Sequence, residues 1–173
     1  MKRSIQNLCL SAVCLALCMV LPFLTGQIPQ IGNALSPMHI PVLMCGLICG
    51  WQYGLAVGFA APLLRFLLFG MPPIMPTGLA MMFELAAYGA FSGLLLQFLP
   101  RKLYCLYASL IGAMLGGRIV WGIARFVLGQ IVGPAFTLPL FLSGAFVSAV
   151  PGIVCHILLI PPVVIGVRRA MSR

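Results

Sequence analysis

Three arginines, Arg65, Arg118 and Arg125, lie inside long apolar stretches of a 173-residue chain whose one acidic residue is Glu84. A charge within hydrocarbon costs about 2.5–3.5 kcal/mol on insertion scales, so an arginine placed there marks a functional site by default. Arg118, Trp121 and Arg125 follow one another at i, i+3 and i+7 and share one helix face. Glu84 and Tyr88, one turn apart, share another. Two guanidiniums one or two turns apart grip a carboxylate or phosphate bidentately. An indole and a phenol stack on a flat ring or cover a cation. The expectation is that Arg65, Glu84, Tyr88, Arg118, Trp121 and Arg125 line one outward-facing cavity for a small anionic solute. The alternative is that Arg65 or Arg118 pairs with Glu84 and staples the helices together. One acid neutralises one arginine comfortably, not three.

His39 and Asn33 stand near the same end: His39 opens a helix, and Asn33 lies in a loop that can fold over the cavity mouth. Both are candidate solute contacts. His156 falls on an apolar helix, where a packed, hydrogen-bonded histidine is the commoner role. No catalytic residue is assigned, because the chain has no phosphate-binding Gly-x-x-x-x-Gly-Lys-Ser/Thr loop, no His-Glu-x-x-His and no Gly-x-Ser-x-Gly. With a single carboxylate, paired-acid catalysis and acidic metal clusters are excluded. The seven cysteines, Cys9, Cys14, Cys18, Cys45, Cys49, Cys105 and Cys155, show no Cys-x-x-Cys or zinc-like spacing. They read as small apolar helix residues, with no metal and no bound cofactor.

These side chains must be held by membrane helices. The chain is 62% hydrophobic and 6% charged, which no soluble domain of this size matches. At roughly 20 residues per span, polar punctuation allows six helices, near 4–25, 38–50, 54–70, 78–99, 103–128 and 140–167. A turn is expected at Trp51-Gln52-Tyr53-Gly54, and bends in the last helix at Pro151 and at Pro161-Pro162. The result is an all-α integral membrane protein, one compact six-helix bundle over 1–173. Lys2, Arg3, Arg101, Lys102, Arg168, Arg169 and Arg173 sit at ends or in one short break, while the loops 26–37, 71–77 and 129–139 carry no charge. That asymmetry puts both termini in the cytoplasm of a multi-pass plasma-membrane protein. The net charge of +9 therefore reports orientation, not nucleic-acid binding. The first apolar run is read as a retained helix: Leu17 is too bulky before Cys18 for a lipoprotein cleavage site, and no Ala-x-Ala follows.

Small residues recur at i, i+4: Ala12 and Ala16, Gly46 and Gly50, Gly54 and Gly58, Gly89 and Gly93, Gly112 and Gly116. Such pairs let backbones approach closely in lipid, and ordinary internal packing accounts for most of them. Residues 38–70, MHIPVLMCGLICGWQYGLAVGFAAPLLRFLLFG, resemble the second and third helices of the substrate-binding S components of energy-coupling factor (ECF) vitamin transporters. An apolar helix beginning near Ile-Pro runs there into a Gly-x-x-x-Gly turn and a glycine-rich third helix. Length, span number, inside termini and basic amino terminus agree over the whole chain.

That resemblance implies a subunit that binds a vitamin-sized solute from outside. It implies delivery inward with a transmembrane coupling subunit, contacted through Ala12 and Ala16, and two cytoplasmic ATPases that use ATP. Pantothenate, folate-like and pyridoxine-related compounds and a queuosine precursor are the candidate ligands. Two other readings compete: a self-sufficient secondary transporter coupled to protons through Glu84, and a structural membrane protein.

Overall fold

The computed structural model describes residues 2–24, 35–100, 102–132, 137–144 and 149–171. The expected contact Asn33 and the basic residues Arg101 and Arg173 lie outside them. The described residues are helical, with no strand among them. We number the helices α1 Lys2–Leu24, α2 His39–Cys49, α3 Trp51–Phe69, α4 Leu79–Phe98, α5 Leu103–Val132, α6 Leu138–Leu142 and α7 Val150–Met171; a wide turn, Ile74–Gly78, leads into α4. Five segments are long and apolar enough to cross a membrane: Ser4–Leu24, Trp51–Phe69, Ile74–Phe98, Leu103–Ile131 and Val150–Met171. The remaining expected span is α2, whose 11 residues rise only about 16 Å against a hydrocarbon thickness of roughly 30 Å.

α2 is short because it starts inside the bundle. The Cys18 thiol donates to the Met38 carbonyl, so α2 begins level with a residue six positions, about 9 Å, below the end of α1. Ser36, with φ 46, turns the chain there, and the His39 N–H donates to its carbonyl at 3.0 Å. A helix apolar all round belongs in the interior, and Pro41, Val42, Leu43, Cys45, Gly46, Leu47 and Cys49 are all buried. α1 shows the opposite pattern. Ser11, Cys14 and Cys18 face inward, while Ile5, Leu8, Val13 and Val20 are exposed on the side left for lipid.

The expected turn at 51–54 is corrected to a break at one residue. Gly50 adopts φ 102 and ψ 166, a region open essentially to glycine alone. α3 then begins at once with Trp51. The expected last helix, 140–167, is divided: α6 ends at Leu142 and α7 starts at Val150. Pro151 is thereby in the first turn of α7, where a missing N–H is no loss, and α7 continues through Pro161 and Pro162.

α4 is the hub, packed against α2, α3 and α5. Toward α2 and α3 the contact is backbone on backbone. A Cβ on Gly89 would overlap the Gly54 carbonyl, one on Gly58 the Leu85 carbonyl, and one on Gly93 the backbone of Trp51. Ser92, fully buried, donates to the Gly89 carbonyl at 3.1 Å and lies 3.4 Å from the Leu43 carbonyl. Toward α5 the fit is ring and methyl into glycine: Leu95, Phe91 and Tyr88 fill the spaces at Gly112, Gly116 and Gly117. Dense contact at small residues is how helices associate where lipid is as apolar as leucine.

Hydrogen bonds fix the ends. Asn7 donates to the Cys49 carbonyl at 3.2 Å, and Arg168 donates to the Leu47 carbonyl. The start of α1, the end of α2 and the end of α7 therefore share one end of the bundle. Gly93 against Trp51 brings the α4–α5 turn with Lys102 to the same end. Arg168 and Arg169 stand in the last turn of α7, where they complement the negative pole of the helix.

Candidate functional site

At the other end, α2, α4, α5 and α7 bring together His39, Glu84, Tyr88, Arg118 and His156. Arg118 Nη1 stands 3.1 Å from Glu84 Oε1, and His39 Nε2 stands 3.5 Å from the same oxygen. Glu84 is 2% exposed. The Arg118 contact has the length of an ion pair, but no well-directed hydrogen bond reaches Oε1. Tyr88, one turn deeper than Glu84, is also buried; its ring meets His39 edge-on at 5.1 Å. The imidazoles of His39 and His156 stack at 6.2 Å with planes 21° apart.

Burial makes this arrangement costly. All four ring nitrogens of His39 and His156 are buried and none has a well-directed hydrogen bond among the described residues, although His39 Nε2 has Glu84 Oε1 at 3.5 Å and His156 lies beside the backbone of Leu35 and Ser36. An unmade bond at a buried polar atom costs about 1–3 kcal/mol, and such atoms in a folded protein call for a partner such as water, an ion or a ligand. The cluster is thus two side-by-side imidazoles beside a neutralised ion pair. No group of three or more His, Cys, Asp or Glu side chains among the described residues could hold a metal ion.

The other candidates are placed differently. Arg65, buried, donates from Nη1 to the Met19 carbonyl of α1 at 2.9 Å. Its guanidinium lies 5.3 Å from the centre of the Phe23 ring and 5.4 Å from that of Phe69. Those contacts are to α1 and the end of α3, not to Glu84, so of the two pairings open in the sequence the structure forms Arg118–Glu84. Trp121, one turn outward from Arg118, stacks on Phe141 of α6 at 6.2 Å. Arg125 follows one turn further out and is half-buried. Ala12 and Ala16 are exposed on the outer face of α1.

His156, read from the sequence as a packed side chain, is buried and stacked on His39. It is six residues into α7 and nothing near it in the chain is polar; only the packing of α7 against α2 brings it to His39. At the basic end, a cavity of about 490 Å³ is bordered by Trp51, Gln52, Gln97 and Arg168. It is remote from the histidine cluster and was not foreseen.

Comparison with curated proteins and with solved structures finds no match. The family model for the substrate-specific component of ECF transporters matches residues 6–164, which takes in α2 to α6 whole, most of α1 and α7, and every residue of the buried cluster. The chain belongs to the substrate-specific components of ECF transporters.

Proposed function

We propose that this chain captures a vitamin-sized solute at the end of the bundle that carries His39, Glu84, Tyr88, Arg118 and His156. It delivers the solute inward together with a transmembrane coupling subunit and two cytoplasmic ATPases. The observation that carries the reading is the buried cluster of two imidazoles beside the Arg118–Glu84 ion pair, in a chain of a substrate-specific transporter family. Trp121 and Arg125, continuing outward along α5, would form the approach to the site, and Asn33 would be a further solute contact.

The basic end faces the cytoplasm on this reading, because positive residues are retained there. Both termini are then inside a plasma-membrane protein whose chain makes six passes, α2 being the short one. The exposed Ala12 and Ala16 would seat the coupling subunit, since small residues at i, i+4 admit a partner helix closely. A proton-coupled carrier acting alone is not favoured: Glu84, its candidate proton site, is already held by Arg118.

Reconstitution tests the proposal. In vesicles, the chain with its coupling subunit and ATPases is expected to accumulate solute from a small-molecule extract only when ATP is supplied. Uptake by the chain alone under a proton gradient would overturn it in favour of the carrier.

A further inference from the structure

Remote from the histidine cluster, the basic end of the bundle holds a cavity of about 490 Å³ whose walls include Gly50, Trp51, Gln52, Gln97, Leu99 and Arg168. At roughly 30 Å³ per water it has room for about sixteen waters, or for a phosphodiester carrying a glycerol. Its one ionic wall is positive. Arg168 is fixed there by its bond to the Leu47 carbonyl, while the single acidic side chain of the sequence, Glu84, is engaged by Arg118 at the opposite end. The start of α3 adds charge of the same sign. Trp51, Gln52 and Tyr53 precede the first bond of that helix, from the Gly54 N–H to the Gly50 carbonyl, and no side chain caps them. The positive pole of α3 therefore opens at the cavity. The carbonyl ends of α2 and α4 border it too, but the Leu47 and Cys49 carbonyls already accept from Arg168 and Asn7. The Gln52 and Gln97 amides, both exposed, can each donate and accept.

We propose that this cavity seats the headgroup of one anionic phospholipid, its phosphodiester against Arg168 and the first turn of α3, its hydroxyls against the glutamine amides. Two features favour a lipid over a dissolved phosphate. The cavity lies at an end of helices long enough to cross the bilayer, at the level where headgroups sit and where tryptophan, here Trp51, is enriched. From Gln52 at its wall, the exposed side chains of Leu55 and Phe59 follow at i+3 and i+7 on one face of α3. Phe59 in turn meets the exposed Phe83 of α4, ring centres 6.5 Å apart. An acyl chain thus has an apolar track from the cavity toward the middle of the membrane. Basic pockets between membrane helices are a recurrent form of lipid headgroup recognition. The site is independent of whatever the opposite end binds.

The test is native mass spectrometry of the full chain released from nanodiscs of mixed phosphatidylglycerol and phosphatidylcholine with the same acyl chains. One retained phosphatidylglycerol is expected, preferred about tenfold over phosphatidylcholine, as one charge-assisted contact supplies. Arg168→Gln is expected to remove the preference. Arg169→Gln, the same change of charge on a residue that does not border the cavity, is expected to keep it. Gln52→Glu puts a carboxylate on the cavity wall in the first turn of α3, where the helix pole favours it. It is expected to weaken lipid retention about tenfold without lowering the unfolding temperature, and it serves as the readout if Arg168→Gln does not fold. Equal retention of the two lipids overturns the inference, as does equal loss in Arg168→Gln and Arg169→Gln, which would report surface charge alone. Retention of glycerol phosphate or inorganic phosphate by the delipidated chain, with no preference between lipids, would make this a site for dissolved phosphate and overturn the lipid assignment. Loss of coupling-subunit co-purification in Gln52→Glu, with lipid retention unchanged, would give the cavity to a protein partner instead.

Discussion

Glu84 can satisfy one of the three arginines set in apolar helices, and the structure resolves the competition by giving Arg118 and Arg65 different kinds of partner. Arg118 takes the carboxylate, and Arg65 takes a helix carbonyl and two aromatic faces. Arg125 remains near the outer end of α5. Removing one member of a buried pair leaves an uncompensated charge, a loss on the order of 3–5 kcal/mol. Arg118→Ala is therefore expected to lower the unfolding temperature sharply, and the double variant Arg118→Leu, Glu84→Leu to recover most of it; calorimetry in detergent checks both. Arg65→Ala should also destabilise, by about 1–3 kcal/mol for the lost carbonyl bond and ring contacts. It should change solute affinity less than twofold in the same preparation, because its partners are on α1 and not in the cluster. A tenfold loss of affinity in folded Arg65→Ala protein would return Arg65 to the site.

The helices were legible where the sequence breaks its own apolarity, and obscure where it does not. Prolines and glycines marked the ends of α3 and α4, and the i, i+4 glycines announced close contacts that α2, α3 and α4 do make. Rotation was not legible. A helix apolar on every side has no period by which to tell its inner face, so nothing in the sequence sent Arg65 toward α1 or His156 toward α2. The depth of α2 was equally hidden, because it is set by the contact of Met38 with Cys18, one of several small residues on an apolar helix. The glycine contacts yield a prediction at this scale. Gly89→Val puts side-chain atoms where the Gly54 carbonyl stands and should cost about 1–3 kcal/mol or more, as overpacking does. Gly166→Ala meets nothing within 4 Å and should be neutral or stabilising by about 0.5–1 kcal/mol. Unfolding temperatures of the two variants side by side would show whether the junction or glycine content as such matters.

Across the whole molecule the two ends differ in composition. The basic end gathers the start of α1 and the ends of α2 and α7; the opposite end holds the polar cluster. Reporter fusions at residue 1 and at residue 173 are both expected to read as cytoplasmic; two external readings would reverse the assignment of sides, and a split result would mean an odd number of passes. Ala12→Trp or Ala16→Trp changes only the exposed face of α1. Either variant should abolish co-purification of the coupling subunit while leaving unfolding temperature and solute affinity unchanged. Binding and coupling would then be separate surfaces of one small bundle. The central claim, that this bundle is a receptor for a small solute, is tested most directly by native mass spectrometry of the chain purified alone after incubation with a small-molecule extract of growth medium. A second peak heavier by one small molecule is expected, absent or much reduced in the folded His39→Phe chain. A chain that remains at its own mass throughout would contradict it.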